Sequence, residues 1–288
     1  MPDNNTAQNS TADLKLAFLG TGSMNGAIMR GIIASGHAPE RITATVRTPA
    51  KAVTLAEETG VNALATENDA NANLTAVADA DVVFLGVKPV GILDLSREIA
   101  GALKPTAVVV SVAAGITVAA LEAALKDGQP VVRSMPNTPL TVGLGAVGLA
   151  AGAGVDEQTL ADVVTLYAGA GVVKVVPEDL IEAVTAVSGS GPAYVFYLAE
   201  AMAAAGEKLG LDAETARELA SATVAGAGRM LAEPGADPAQ LRRNVTSPNG
   251  TTAAALDSFA ASGLEEMVFK AETACVERSR ELTRDLSS

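Results

Sequence analysis

Between positions 15 and 176, short β-branched apolar runs alternate with stretches whose apolar residues recur at helical spacing. The runs are Lys15–Leu19, Ile42–Val46, Asp81–Val87, Ala107–Val112 and Val131–Met135, with weaker ones at Ala146–Ala150 and Val172–Val176. Helices are predicted between them at Met24–Ser35, Pro49–Thr59, Val90–Leu103, Val118–Leu125 and Asp156–Ala168. Val82-Val-Phe-Leu-Gly is apolar almost throughout, as a strand covered on both faces must be. The pattern predicts an α/β domain, a Rossmann-like parallel sheet with helices on both sides. After Pro177 the strand pattern stops. Alanine-rich helices are predicted at Glu178–Leu209, Ala213–Leu231, Pro238–Val245, Thr252–Ser262 and Glu265–Leu286, broken at Gly210-Leu-Asp212 and Glu233-Pro-Gly. The expected organisation is a polar, disordered tail over 1–12, a dinucleotide-binding domain over 13–177 and an all-α domain over 178–288.

Composition sharpens the second half of that picture. Aromatics make up 3% of the 288 residues and tryptophan is absent. Small side chains bury little area each, so the helical domain is expected to complete its core against another copy of the chain. No apolar run reaches the roughly 18 residues of a membrane span, and Met1–Ala12 lacks the basic start and apolar stretch of a secretory signal; a cytoplasmic protein is expected. The net charge of −13 disfavours nucleic acid and anionic membranes as partners. It also repels anionic ligands, so any phosphate site must rest on local N–H groups and particular arginines. The same excess also serves to keep an alanine-rich surface soluble. One cysteine, Cys275, and one histidine, His37, leave no disulfide and no zinc site to expect. Cys275 shares a helical face with Met267, Val268, Ala271 and Ala274 and reads as a core thiol; His37, in Ser-Gly-His-Ala-Pro, reads as a solvated loop residue.

Candidate chemistry begins at Leu19-Gly-Thr-Gly-Ser-Met-Asn-Gly26, a glycine turn between the first strand and the first helix. Gly20 permits the tight turn, Gly22 lets backbone approach a phosphate, and the helix start that follows offers N–H groups and a positive dipole end. This is the setting of a dinucleotide pyrophosphate, with Gly20, Thr21, Gly22, Ser23 and Met24 around it. The third glycine of the usual fingerprint is replaced by Asn25. The second strand ends Thr45-Val-Arg47-Thr-Pro-Ala-Lys51 without the carboxylate of an NAD site; Arg47 instead suits a 2′-phosphate, with Lys51 a turn further on. The cofactor read from this is NADPH, with NADH possible. Val87-Lys88-Pro89, Ala113-Ala114-Gly115 and Met135-Pro-Asn137-Thr138-Pro follow the C-terminal ends of predicted strands, where ligands bind in open α/β sheets.

Two loops stand out in the helical half. Val187-Ser-Gly-Ser-Gly-Pro-Ala-Tyr194 puts glycines inside a helical stretch, each unfavourable by about 1 kcal/mol relative to alanine. In Asn244-Val-Thr-Ser247-Pro-Asn249-Gly250-Thr251-Thr252-Ala253, a turn leads into a helix start that reads equally as a carboxylate cradle or as turn chemistry with a threonine N-cap.

Taken in order, Gly-x-Gly-x-Met, Val-Lys-Pro, Val-Ser-x-Ala-Ala-Gly, Met-Pro-Asn-Thr-Pro, Val-Ser-Gly-Ser-Gly-Pro-Ala-Tyr and Ser-Pro-x-Gly-Thr-Thr resemble the pyrroline-5-carboxylate reductase family over about Lys15–Leu282. The resemblance implies a 6-phosphogluconate dehydrogenase-like arrangement: a Rossmann domain, then a helical dimerisation domain, in dimers often assembled into decamers. It implies hydride transfer from NADPH to the C=N carbon of L-1-pyrroline-5-carboxylate, giving L-proline as the final step of its synthesis. It assigns the nicotinamide site to Val87–Pro89, Ala113–Gly115 and Met135–Thr138 and the 2′-phosphate to Arg47. It assigns the substrate to Ser247, Asn249, Gly250, Thr251 and Thr252, with Thr252 the candidate for the ring nitrogen. Asn25 and Asn249 depart from the family pattern; Asn249 stands where a glycine is usual and can keep the turn, since asparagine tolerates left-handed backbone. Two rivals are a 3-hydroxy-acid dehydrogenase, for which Lys174 and Lys208 lack the required motif, and a redox-sensing protein that binds NADPH without turning it over.

Overall fold

The computed structural model describes residues 11–286. These form two compact units, one running to Gly189 and taking in Val276 onward, the other Ser190–Cys275. The expected tail lies outside the described residues except for Thr11, which is buried, and Ala12.

The first unit is built on β1 (Leu16–Leu19), β2 (Ile42–Val46), β3 (Asn62–Ala65), β4 (Val82–Leu85), β5 (Val108–Ser111), β6 (Val131–Pro136), β7 (Gly145–Ala151) and β8 (Gly171–Val175). They form one sheet in the order β3-β2-β1-β4-β5-β6-β7-β8. From β3 to β6 every pairing is parallel; β7 runs against β6, and β8 lies parallel to β7. The expected parallel sheet holds from β3 to β6, and the chain reverses at β7. Only residues 137–144 join β6 to β7, too little chain for a parallel crossover, which takes a dozen residues or more.

Helices α1 (Ser23–Ala34), α2 (Pro49–Thr59) and α6 (Glu157–Ala168) supply Ile28, Met29, Leu55, Val163 and Tyr167 to one face of the sheet, where they meet Leu16 and Phe18. Helices α3 (Ala72–Val77), α4 (Ile92–Ile99) and α5 (Val118–Ala124) bring Val77, Leu95, Ile99 and Leu121 to the other, against Ala17 and Leu19. The alternation along β1 thus feeds two cores. Phe18 stacks on Phe84 at 4.5 Å between ring centroids, and Tyr167 meets Phe84 edge-on. Strand β3 and helix α3 were not among the expected elements. Asn62-Ala-Leu-Ala is a half-exposed edge with low strand propensity, held by pairing with Thr43–Val46 rather than by its own sequence.

After β8 the chain passes through α7 (Ile181–Val184) and a π-turn over Thr185–Gly189. The second unit contains α8 (Gly191–Lys208), α9 (Ala213–Leu231), α10 (Pro238–Asn244), α11 (Thr251–Ala261) and the start of α12 (Leu264–Leu286). Its only buried hydrophobic residues are Ala216 and Ala220, while Phe196 and Phe269 are 67% and 66% exposed. Helices that pack through alanine leave their large apolar groups outward. Met267 and Val268 are exposed for the same reason, so Cys275 is half-buried beside Ser190 instead of in a core; its Sγ lies 3.4 Å from Ser190 Oγ.

Candidate functional site

The C-terminal ends of β1, β2, β4, β5 and β6 lie along one edge of the sheet, and the segments expected to meet the cofactor follow those ends. Gly20 takes a left-handed φ of +72°, and a Cβ on it would come within 2.5 Å of Val87 Cγ1. Two bonds fix the turn to β2: Gly20 N–H donates to Thr45 Oγ1 (3.1 Å) and Thr21 N–H to the Thr45 carbonyl (2.8 Å). Thr45 in turn donates to Asn73 Oδ1. Helix α1 starts at Ser23 with Gly22 as its N-cap, no side chain capping it and no acid in its first turn. The leading N–H groups of Ser23 and Met24 thus face outward without an intrahelical acceptor. A Cβ on Gly22 would meet nothing within 4 Å. An uncapped helix start under open space fits a pyrophosphate. Beside it runs a cavity of about 570 Å³ lined by Thr21, Gly22, Ser23, Arg30 and Thr141, among others.

Asn25, the departure from the fingerprint, is buried. Its Nδ2 donates to the carbonyls of Leu19 (3.1 Å) and Phe84 (3.3 Å), tying together the ends of β1 and β4. Gly86 makes room for it, since a Cβ there would fall 2.3 Å from Asn25 Cγ. The close helix–sheet contact usually given by a third glycine is thus made by a side chain over a glycine just past the neighbouring strand.

Arg47, just past β2, is highly exposed, and its Nε lies 3.5 Å from Glu67 Oε1. Helix α2 begins two residues later, with Thr48 accepting from Lys51 N–H. Lys88 is exposed and Val87 half-buried after β4. After β5, Ala113 is buried and Ala114 exposed, while Gly115 has φ +78° and packs against Leu282 and Leu286 at the end of α12. Asn137 departs from expectation. Its Oδ1 accepts from Ala146 N–H (2.8 Å) and its Nδ2 donates to the Ser188 carbonyl (3.1 Å), so the amide expected to face a nicotinamide fastens β7 and the π-turn to the loop. Thr138, next to it, is exposed.

Sequence reasoning missed a buried ion cluster on the same strand. Arg133 is 1% exposed and contacts Glu178 (3.3 Å) and Glu182 (3.1 Å). Glu178 also accepts from Val118 N–H at the start of α5, and Thr283 Oγ1 lies 3.5 Å from Glu182. The available signal was a lone charge inside the apolar run Val131–Met135. His37 is likewise no solvated loop residue: it is 7% exposed with Nε2 unpartnered, and burial together with the Arg41 charge lowers its pKa. Among the described residues no group of three or more His, Cys, Asp or Glu is placed to hold a metal, and no helix is long and apolar enough to cross a membrane.

In the second unit, Ser247–Gly250 forms a turn closed by Gly250 N–H donating to the Ser247 carbonyl at 3.1 Å. Asn249 sits at its left-handed position, φ +58°. Helix α11 starts at Thr251, one residue before the expected Thr252, and its N-cap is Gly250. No side chain caps it and its first turn carries no acid. The threonine-cap reading therefore fails: Thr251 and Thr252 occupy the first two helical positions with hydroxyls not spent on capping. Ser247, Asn249 and Thr251 are exposed and Thr252 half-buried. Free N–H groups with adjacent hydroxyls suit a carboxylate.

Residues 178–282 match the family model described as pyrroline-5-carboxylate reductase dimerisation, and residues 15–115 the one described as NADP oxidoreductase, coenzyme F420-dependent. The chain is 44% identical over 273 residues to pyrroline-5-carboxylate reductase of Pseudomonas aeruginosa, covering 94% of this chain and 98% of that one. The Corynebacterium melassecola reductase is 42% identical over 93% of this chain and 98% of its own. Among solved structures, a pyrroline-5-carboxylate reductase from Coxiella burnetii aligns with a TM-score of 0.87 at 40% identity, covering 94% and 98% of the two chains. The Plasmodium falciparum pyrroline carboxylate reductase with NADP bound gives 0.78 at 26% identity, covering 94% and 99%.

Proposed function

The chain belongs to the pyrroline-5-carboxylate reductase family, and we propose that its sheet unit holds the cofactor while its helical unit holds the substrate. It is an NADPH-dependent oxidoreductase that reduces the C=N bond of L-1-pyrroline-5-carboxylate to L-proline, the closing step of proline biosynthesis. NADPH, when bound, supplies the hydride. Gly20–Met24 hold its pyrophosphate through backbone N–H groups, and Arg47 takes the 2′-phosphate, with NADH as the alternative donor. The nicotinamide end falls to Val87–Pro89, Ala113–Gly115 and Thr138, with Asn137 positioning Thr138 through its two internal bonds.

The substrate carboxylate rests on the N–H groups of Thr251 and Thr252 and the hydroxyl of Ser247, with Asn249 and Gly250 shaping the turn. Thr252 Oγ1 meets the ring nitrogen. The observation that carries this is the side-chain-free N-cap at Gly250, which leaves the start of α11 for an anion. The turn and helix start at Ser247–Thr252 contain no lysine, histidine or carboxylate. Catalysis is then chiefly orientation of the imine carbon toward the donor. The exposed apolar face of α8 and α12 serves a homodimer, with a decamer as the larger assembly, in the cytoplasm. Thr252→Ala is expected to raise KM for the imine about three- to tenfold, the loss of one hydrogen bond, with the NADPH Kd unchanged and Thr252→Ser restoring most of the loss. Unaltered kinetics for the imine contradict the assignment.

A further inference from the structure

The ladder between β2 and β3 does not stop where the strands end. Thr66 N–H donates to the Val46 carbonyl and Glu67 N–H to the Arg47 carbonyl, both at 3.0 Å. Those bonds place Glu67 beside Arg47, and the side chains meet with Oε1 3.5 Å from Nε. Both are substantially exposed, so the pair contributes little to stability. Its position is what matters. The only cation in the turn directly after β2 faces a carboxylate just past the end of the adjoining strand, at the place where the second strand itself supplies no acid.

We propose that Glu67 is a specificity-determining residue for the cofactor: it competes with a 2′-phosphate for Arg47 and so narrows the preference for NADPH over NADH. A 2′-phosphate must draw the guanidinium from Glu67 and then sit near a like charge, whereas a free 2′-hydroxyl leaves the pair intact. Glu67 acts in this way only if Arg47 takes the 2′-phosphate, as proposed for the cofactor. Glu67→Gln keeps the backbone bond to the Arg47 carbonyl and the side-chain shape, and removes only the charge.

The test is calorimetric titration of the full chain with adenosine 2′,5′-bisphosphate and with 5′-AMP, neither of which turns over. In Glu67→Gln the bisphosphate is expected to bind about three- to tenfold more tightly, with 5′-AMP within about twofold of the parent, and the kcat/KM ratio of NADPH to NADH to rise in step. An unchanged bisphosphate Kd overturns the role of Glu67. So does an equal gain when Glu67→Gln is made on an Arg47→Ala background, because Glu67 then acts without Arg47. Arg47→Ala itself checks the underlying reading: bisphosphate binding that survives it refutes Arg47 as the phosphate contact, separately from anything Glu67 does.

Discussion

At the scale of single residues, three side chains show what sequence pattern can and cannot carry. Asn249 was legible, because a left-handed turn position tolerates asparagine and the structure gives it φ +58°. Asn25 was visible as a departure, but its remedy was not, since Gly86 is distant in sequence and becomes its neighbour only when β1 and β4 pair. His37 was misread because burial of a loop residue depends on what packs over it. Its lowered pKa has a thermodynamic consequence. A histidine whose folded pKa lies below the ordinary value of about 6.5 takes up its proton first in the unfolded chain. The contribution is therefore complete above about pH 6.5 and is lost as pH falls from there toward the folded pKa. Urea midpoints are expected to drop between pH 7.5 and 5.5 by more in the parent than in His37→Gln; equal drops refute this.

At the scale of elements, most boundaries were legible to within a residue or two, because continuous apolar runs and proline-started helices carry strong local signals; Ile42–Val46, Pro49–Thr59 and Ala213–Leu231 coincide with expectation. Strand β3 was not legible, since its pairing and not its composition makes it a strand. The direction of β7 was readable in principle from its short connection. The local pattern showed only a lone charge at Arg133 and not its partners: the cluster joins β6 to Glu178, Glu182 and, through Thr283, the end of α12. Removing one member of a buried ion pair strands the other, whereas replacing both by apolar groups is often neutral. Arg133→Met is expected to destabilise the fold by about 3 kcal/mol or more, and Arg133→Met with Glu182→Leu to recover most of it. Denaturant unfolding of the two single variants and the double variant measures the coupling; additive losses contradict it.

At the scale of the whole molecule, the candidate site was legible as two separate stretches of sequence for two separate physical reasons. Glycine turns and uncapped helix starts leave N–H groups free, and both appear in the chain as glycines ahead of an apolar period: Gly20 and Gly22 before α1, Gly250 before α11. The role of the other copy was legible only as a deficit. A helical unit that buries little beyond two alanines and exposes Phe196 and Phe269 needs a partner surface, and the dimerisation family model spans this region. Both stretches serve one reaction, in which this chain spends NADPH on a cyclic imine. The direct test follows NADPH absorbance with purified full-length protein, given L-1-pyrroline-5-carboxylate in one series and 3-hydroxy or keto acids (with the cofactor in the matching redox state) in another. NADPH consumption is expected to depend on the imine and to yield proline in equal amount, with no turnover of the acids. Cofactor binding without imine-dependent oxidation, or turnover of the acids instead, contradicts it.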